Sequence, residues 1–236
     1  ETELMLADLE SLEKRITNLE KKAKGGDKEA KLTLDLVHRA KALLEDGKPA
    51  RLTERAAEEE KAFHMLQLLT ALPVLYVCNV NEHDAAGSNS HTQRVQERAQ
   101  KEGAASVIIC AQLEAEIAAL SDEEQDEFLQ TVGLQEPGLI KLIHAGCELL
   151  GLQTYFTVGP KEARAWTIEK GWTAPQAAGV IHGDFEKGFI RAETISYDDF
   201  IAHNGEQGAK EAGKMRLEGR DYVVREGDVM HLRFNA

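Results

Sequence analysis

Hydrophobic and polar positions change period twice along this chain, and the changes divide it into three stretches. In the first, Met5, Leu9, Leu12, Ile16, Leu19 and Ala23 recur at alternating spacings of four and three, which puts them on one seam of a helix. Glu10 with Lys14 and Glu20 with Lys24 add pairs one turn apart. The segment KGGD then breaks the helix: Gly25 and Gly26 supply the turn and Asp27 the N-cap of a second helix over about 28–46. Two helices joined by so short a turn must run antiparallel, as an arm on the order of 30 Å long at 1.5 Å per residue. A third helix is expected from Thr53 towards Leu69.

From Pro73 the period changes. PVLYVCNV is a continuous apolar, β-branched run, expected for a strand buried on both faces. The helical TQRVQERAQKEG and a second apolar run, ASVIICA, complete a βαβ unit of an open parallel sheet, where ligands sit beyond the carboxyl ends of the strands. Those ends carry Asn79 to Glu82 and Cys110 to Gln112. Further helices are expected in LEAEIAAL, after the acidic opening SDEEQDEF, and in PGLIKLIHAGCELLG. Beyond Gly151 short strand-like runs (QTYFTV, RAWTI, FIRAETI, DYVVREGDVMHLRF) alternate with glycine turns and one helix, TAPQAAGVI, capped by Thr173. That is a small mixed sheet with a crossing helix. The fold class is therefore α/β and α+β multidomain, with boundaries at 1–70, 71–151 and 152–236.

Composition narrows the function classes. At 42% hydrophobic residues a buried core is assured, and the net charge of -13 excludes a globally basic nucleic-acid surface. Residues 71–151 hold most of that charge, with 4 basic against 13 acidic side chains, so a local basic patch elsewhere stays open. The hairpin tip KKAKGGDKEAK is one: Lys21, Lys22, Lys24, Lys28 and Lys31 are either a phosphate-contacting tip or a solvated helical turn. Cys78, Cys110 and Cys147 stand far apart in apolar settings, which fits reduced thiols of a cytosolic protein. No apolar run approaches the ~20 residues of a membrane span. The chain opens on the acidic ETELMLADLE without an initiator Met, which leads us to expect a longer polypeptide.

Two chemistries can be set against the residues. GAKEAGKM, 208–215, matches G-x-x-x-x-G-K and then fails, because Met215 offers no hydroxyl to Mg²⁺ and no buried strand leads into it; a glycine-rich loop is the expectation. The eight histidines show no local metal-ligand spacing, and no Ser, His and acid set stands out. The strand end at 79–82 is different. GTP-binding folds read guanine with N-K-x-D after a buried strand, the Asp accepting from two donors on the base edge. Here the residues are Asn79, Val80, Asn81 and Glu82. Glu is one methylene longer, which misplaces that bidentate fit and lowers the advantage of guanine over adenine.

NVNE after one strand, CA after the next, the hairpin with its KKAKGGDKEAK tip, and above all LQTYFTVGPKEARAWTIEKGWTAPQAAGVIHGDFEKGFIRAETISYDDF with GEQGAKEAGKMRLEGRDYVVREGDVMHLRFN resemble the YchF or Obg-like ATPase family over essentially the whole chain. The resemblance implies a partial P-loop G domain with an antiparallel coiled-coil insertion and a carboxyl-terminal TGS domain of ubiquitin-like β-grasp fold. It also implies a cytoplasmic, ribosome-associated ATPase that contacts the large subunit and RNA, with no membrane or DNA partner. Carried over by position, Asn79, Val80, Asn81 and Glu82 match the base-recognition loop, and Cys110, Ala111 and Gln112 the second base-contacting loop. The family's phosphate loop and Mg²⁺-binding residues are expected upstream of Glu1. ATP and Mg²⁺ are then expected to belong to the complete protein, and this chain is expected to hold neither catalytic nor metal-binding residues of its own. The alternative is an RNA- or ribosome-binding module whose nucleotide site is non-catalytic. A dimerising coiled coil ranks last, because the return helix already covers the seam, and the aromatics Tyr155, Phe156, Trp166, Phe185 and Phe189 are expected in the core.

Overall fold

In the computed structural model, which describes residues 1–87 and 89–235, the seam of the first stretch forms α1 (Thr2–Lys24) and the return helix α2 (Lys28–Glu45). Asp27 caps α2 as expected, accepting from the amides of Glu29 and Ala30 at 3.0 and 3.1 Å. Gly26 takes φ +90°, which a side chain would resist. Leu12, Leu36, Val37, Ala40 and Leu44 are buried between the helices, with Leu9, Ile16 and Leu19 packed against them. Each fully buried Leu or Val adds roughly 1.5–3 kcal/mol. These residues belong to a compact unit, 1–74, and a second unit begins at Leu75.

The third helix expected from Thr53 to Leu69 does not form. Only α3 (Glu60–His64) is α-helical, between short 3-10 turns at Ala50–Leu52, Ala57–Glu59 and Leu69–Ala71. Side chains claim the backbone groups that a helix would use. Arg55 donates to the carbonyl of Thr53, Glu59 accepts from the amide of Ala56, and Asp8 of α1 accepts from the amides of Leu69 and Thr70. Gln67, at φ +51°, breaks the chain between them.

In the second unit, β1 (Leu75–Asn79) and β2 (Ala105–Ile109) pair in parallel, Leu75 opposite Ala105 and Asn79 opposite Ile109. The crossover is α4 (Ser90–Glu102), capped by Asn89, which accepts from the amides of His91 and Thr92. The strands are less covered than a continuous apolar run implies: Val107 is buried while Val77 is 45% exposed. Among the described residues this sheet has two strands, so the expectation of burial on both faces is corrected. Then follow α5 (Ala111–Ile117), α6 (Asp122–Thr131) and α7 (Gly138–Leu149). Glu114 of α5 accepts from the amides of Gly138 and Leu139 and so caps α7. A Cβ on Gly138 would lie 2.8 Å from that carboxylate and 3.0 Å from the Ile109 side chain, so a larger residue would push at least one of them aside.

The carboxyl-terminal sheet comprises β3 (Leu152–Val158), β4 (Ala163–Glu169), β5 (Phe189–Ser196), β6 (Arg216–Glu218) and β7 (Asp228–Phe234) in the order β4-β3-β7-β5-β6. The β3/β7 pair is parallel and the others antiparallel. Between β4 and β5 come α8 (Ala174–Ile181) and α9 (Gly183–Lys187), and between β5 and β6 come α10 (Tyr197–Ala202) and α11 (Glu206–Glu211). Tyr155, Ile168, Ala192 and Met230 bury against Ala174, Ala177 and Ala178 of α8. Of the aromatics, Tyr155 and Phe189 are buried, and Trp166 and Phe185 pack against this core. Phe156, on the other face, meets the ring of Tyr197 at 5.8 Å. Two expectations are corrected here. The strand over 221–234 starts only at Asp228, because the Asp228 carboxylate holds the preceding turn through Tyr222 and the amide of Arg225. The first half of the glycine-rich stretch at 208–215, residues 208–211, belongs to α11 rather than to a loop, so the stretch does not form a phosphate loop.

Candidate nucleotide-base site

The two loops singled out in the sequence meet at the carboxyl ends of β1 and β2. The amide of Val80 donates to the carbonyl of Ile109 at 2.9 Å, carrying the strand pairing one residue past β1. Asn79 Oδ1 then accepts from the amide of Ala111 at 3.0 Å. Ala111 opens α5, so this amide is one of the four that a helix start leaves without an internal partner. The side chain of Asn79 therefore satisfies α5 and fixes the spacing of the two loops. Cys110, between them, is buried, and all three cysteines are free thiols.

Beyond Asn79 the chain turns outward. Asn81 is extended and leads into a 3-10 turn, Glu82–Asp84. Asp84 accepts from the Asn89 side-chain amide at 2.9 Å, which anchors the far end of the loop to the cap of α4. Sequence reasoning missed this tie; the signal was the Asn89–Ser90–His91–Thr92 cap. Val80 is half-buried, while Asn79, Asn81, Glu82, Ala111 and Gln112 are exposed. Glu82 makes no ion pair among the described residues, so its carboxylate is available to a ligand donor. A cleft of about 450 Å³ along β1 takes in Asn79, Val80 and Asn81 with Asp84, Asn89 and Thr92. Glu82, Cys110, Ala111 and Gln112 lie outside its lining.

In the first unit, Lys21, Lys22 and Lys24 end α1, and Lys28 and Lys31 begin α2. All five are exposed, and none forms an ion pair among the described residues. Those on α1 sit where the helix dipole favours cations, but Lys28 stands at the first residue of α2, where it does not.

A parallel βαβ unit whose strand ends hold an Asn-x-x-Glu loop defines an α/β protein of the kind that binds ligands at those ends. Residues 152–235 match the family described as YchF-GTPase_C, protein of unknown function (DUF933). The chain is 56% identical over 235 residues to the ribosome-binding ATPase YchF of Escherichia coli O157:H7, covering 100% of this chain and 64% of that protein. Against the Bacillus subtilis ribosome-binding ATPase YchF the identity is 51% over 236 residues, covering 99% and 64%. The solved Schizosaccharomyces pombe YchF GTPase superposes with a TM-score of 0.83 at 32% identity, over 98% of this chain and 64% of that one. The chain belongs to the YchF family and spans about 64% of the length of these relatives.

Proposed function

We propose that this chain carries the base-reading part of a ribosome-associated ATP-binding and ATP-hydrolysing switch of the Obg-like type, with adenine favoured through Glu82. The observation that carries the reading is the Asn79 to Ala111 hydrogen bond, which holds Asn79–Glu82 and Cys110–Gln112 together at one strand end. Relatives named ribosome-binding ATPase support the class of ligand and partner. The residues fit a purine base: the exposed Glu82 carboxylate accepts from base-edge amino groups, and its added methylene moves it off the guanine fit. They do not fit triphosphate or Mg²⁺. The only sequence resemblance to a phosphate loop, 208–215, is half taken up by the end of α11 and closes on Met215, so no hydrolytic step is assigned to residues of this chain. Within the reading, α1 and α2 are the coiled-coil insertion and the five-stranded sheet with α8 is the β-grasp TGS domain. The strand order with its central parallel β3/β7 pair supports the latter. A cytoplasmic location goes with the ribosomal partner; among the described residues no helix is long and apolar enough to cross a membrane.

The test is equilibrium binding of labelled ATP and GTP, side by side, to a protein of the relatives' full length, with Glu82→Asp as the second arm. ATP should bind the parent more tightly, and the shorter carboxylate should shift preference towards GTP by about tenfold, the scale of one mispaired base-edge contact. A parent that prefers GTP sinks the reading.

A second reading is an RNA- or ribosome-binding module, favoured by the five exposed lysines at the hairpin tip, which form no ion pair among the described residues. In a switch protein the two readings coexist, the tip docking and the nucleotide setting affinity.

A further inference from the structure

Three side chains far apart in sequence meet on the sheet face away from α8. Ala192 and Met230 bury against that helix, so strand alternation turns Glu193 of β5 and His231 of β7 to the opposite face, where they are direct cross-strand partners. Glu206, the first residue of α11, comes to the same point. One ligand atom from each of Glu193, Glu206 and His231 lies within 4.8 Å of the others. A cavity of about 10 Å³ borders all three, with walls from Val158, Ile195, Phe200 and Met215. That is about the volume of a single small ion or water.

The glycine-rich stretch explains how Glu206 arrives there. Asn204 and Gly205 take φ +56° and +109°, reversing the chain between α10 and α11. The second angle is open only to glycine. A Cβ on Gly208 would fall 1.9 Å from the carbonyl of His203, so only glycine lets α11 approach the end of α10 so closely. Gly208, the first residue of the segment that imitates a phosphate loop in sequence, thus helps in the fold to place the carboxylate of Glu206 two residues before it. Arg233 donates to Glu193 Oε2 at 3.1 Å and sets the plane of that carboxylate, as outer partners of metal ligands commonly do. Glu206 has no ion pair among the described residues, and of the two carboxylates Glu193 is the one held by a cation, Arg233.

We propose that Glu193, Glu206 and His231 form a site for one divalent first-row metal ion of the Zn²⁺ and Co²⁺ kind. An imidazole with two carboxylates and no thiolate suits such an ion better than Mg²⁺ or Ca²⁺, which take oxygen ligands. Three protein ligands leave a further coordination position for water or a partner's donor group. Local spacing rules miss the site because each ligand comes from a different element.

The test is a Co²⁺ titration of the chelator-stripped chain, followed by its visible d–d absorption, with Zn²⁺ displacement measured by calorimetry. One saturable ion per chain is expected, with a nitrogen- and oxygen-ligand spectrum, no thiolate charge-transfer band, and no displacement by a large excess of Mg²⁺. His231→Ala and the shape-conserving Glu206→Gln should each weaken binding at least about tenfold while circular dichroism stays that of the parent. Parent-like binding in both variants overturns the proposal. So does a thiolate band as the only signal, displacement by Mg²⁺, or the absence of saturable binding.

Discussion

Thr70 donates both its backbone amide and its hydroxyl to the same oxygen of Asp8, at 2.8 and 2.7 Å. The other Asp8 oxygen accepts from the amide of Leu69, and the Thr70 hydroxyl in turn accepts from the amide of Ala50. Asp8 is 2% exposed, so one buried carboxylate on α1 organises the return of the chain more than sixty residues later. Removing it by Asp8→Ala strands two amides and a hydroxyl. At roughly 1–3 kcal/mol for each buried group left unsatisfied, we expect a loss of about 3 kcal/mol or more. Asp8→Asn retains one acceptor oxygen and should recover part of it. Urea unfolding followed by far-ultraviolet circular dichroism measures both; a midpoint unchanged in Asp8→Ala contradicts the assignment.

In the proposed base site Asn79 has two tasks, and they separate by substitution. Asn79→Ala leaves the Ala111 amide without its acceptor and loosens the spacing of the two loops. Asn79→Asp keeps the acceptor but changes the group offered to a base. Hydrogen exchange at Ala111 should therefore accelerate in the alanine variant and stay slow in the aspartate one. Nucleotide affinity should fall by about tenfold, equivalent to about 1.4 kcal/mol, in the alanine variant. Slow exchange at Ala111 in Asn79→Ala would remove the tie from the account.

The turn before β7 gives an alkaline signature. Tyr222 donates to Asp228 at 2.7 Å, and Arg216 donates to both. Burial first, then the hydrogen bond to Asp228, push the phenol from 10 up to about 12. A raised tyrosine pKa means that the folded state favours the neutral form. Its stabilising contribution is complete below pH 10 and is lost as pH rises from 10 through about 12. Buried Tyr155, raised for the same reason of burial, adds to the loss in the same direction. Stability against urea should decline across this window, with a shallower slope in Tyr222→Phe. A parent-minus-Tyr222→Phe difference in tyrosinate absorbance that rises at the free-phenol pH in the folded chain would refute it.

What the sequence revealed follows from how local each cause is. The hairpin was legible because its seam, the Gly25–Gly26 turn and the Asp27 cap all lie within a few residues of the structure they dictate. The βαβ unit was legible for the same reason, in two β-branched runs on either side of a helical pattern, although the Asn89 cap and Gly103 at φ +64° that end the helix emerge only in the fold. The stretch 53–69 was misread because Asp8 and Arg55 outbid helical bonds that propensity alone would favour. The turn at 221–227 depends on Asp228, and the Glu193, Glu206 and His231 cluster on three elements converging. No window of the sequence contains either cause. The base loop lies between these cases: its residue types were readable, but the hydrogen bond from Ala111 to Asn79 spans 32 positions and appears only in the fold.

The hairpin tip offers the cleanest separation of stability from function. Lys21, Lys22, Lys24, Lys28 and Lys31 are exposed and form no ion pair among the described residues, so changing each to Gln should leave the unfolding free energy measured in urea within about 0.5 kcal/mol of the parent. Lys28→Gln should even be mildly favourable, since it removes a cation from a helix start. If these side chains meet ribosomal RNA, each contact releases condensed counterions. The slope of log affinity against log salt should then flatten by roughly 0.7 to 0.9 for every phosphate contact removed. Ribosome cosedimentation across a salt series, parent against the five-fold variant, reads that slope directly. Equal slopes and equal affinity would make the tip a solvated turn and leave ribosome contact to another surface of the chain.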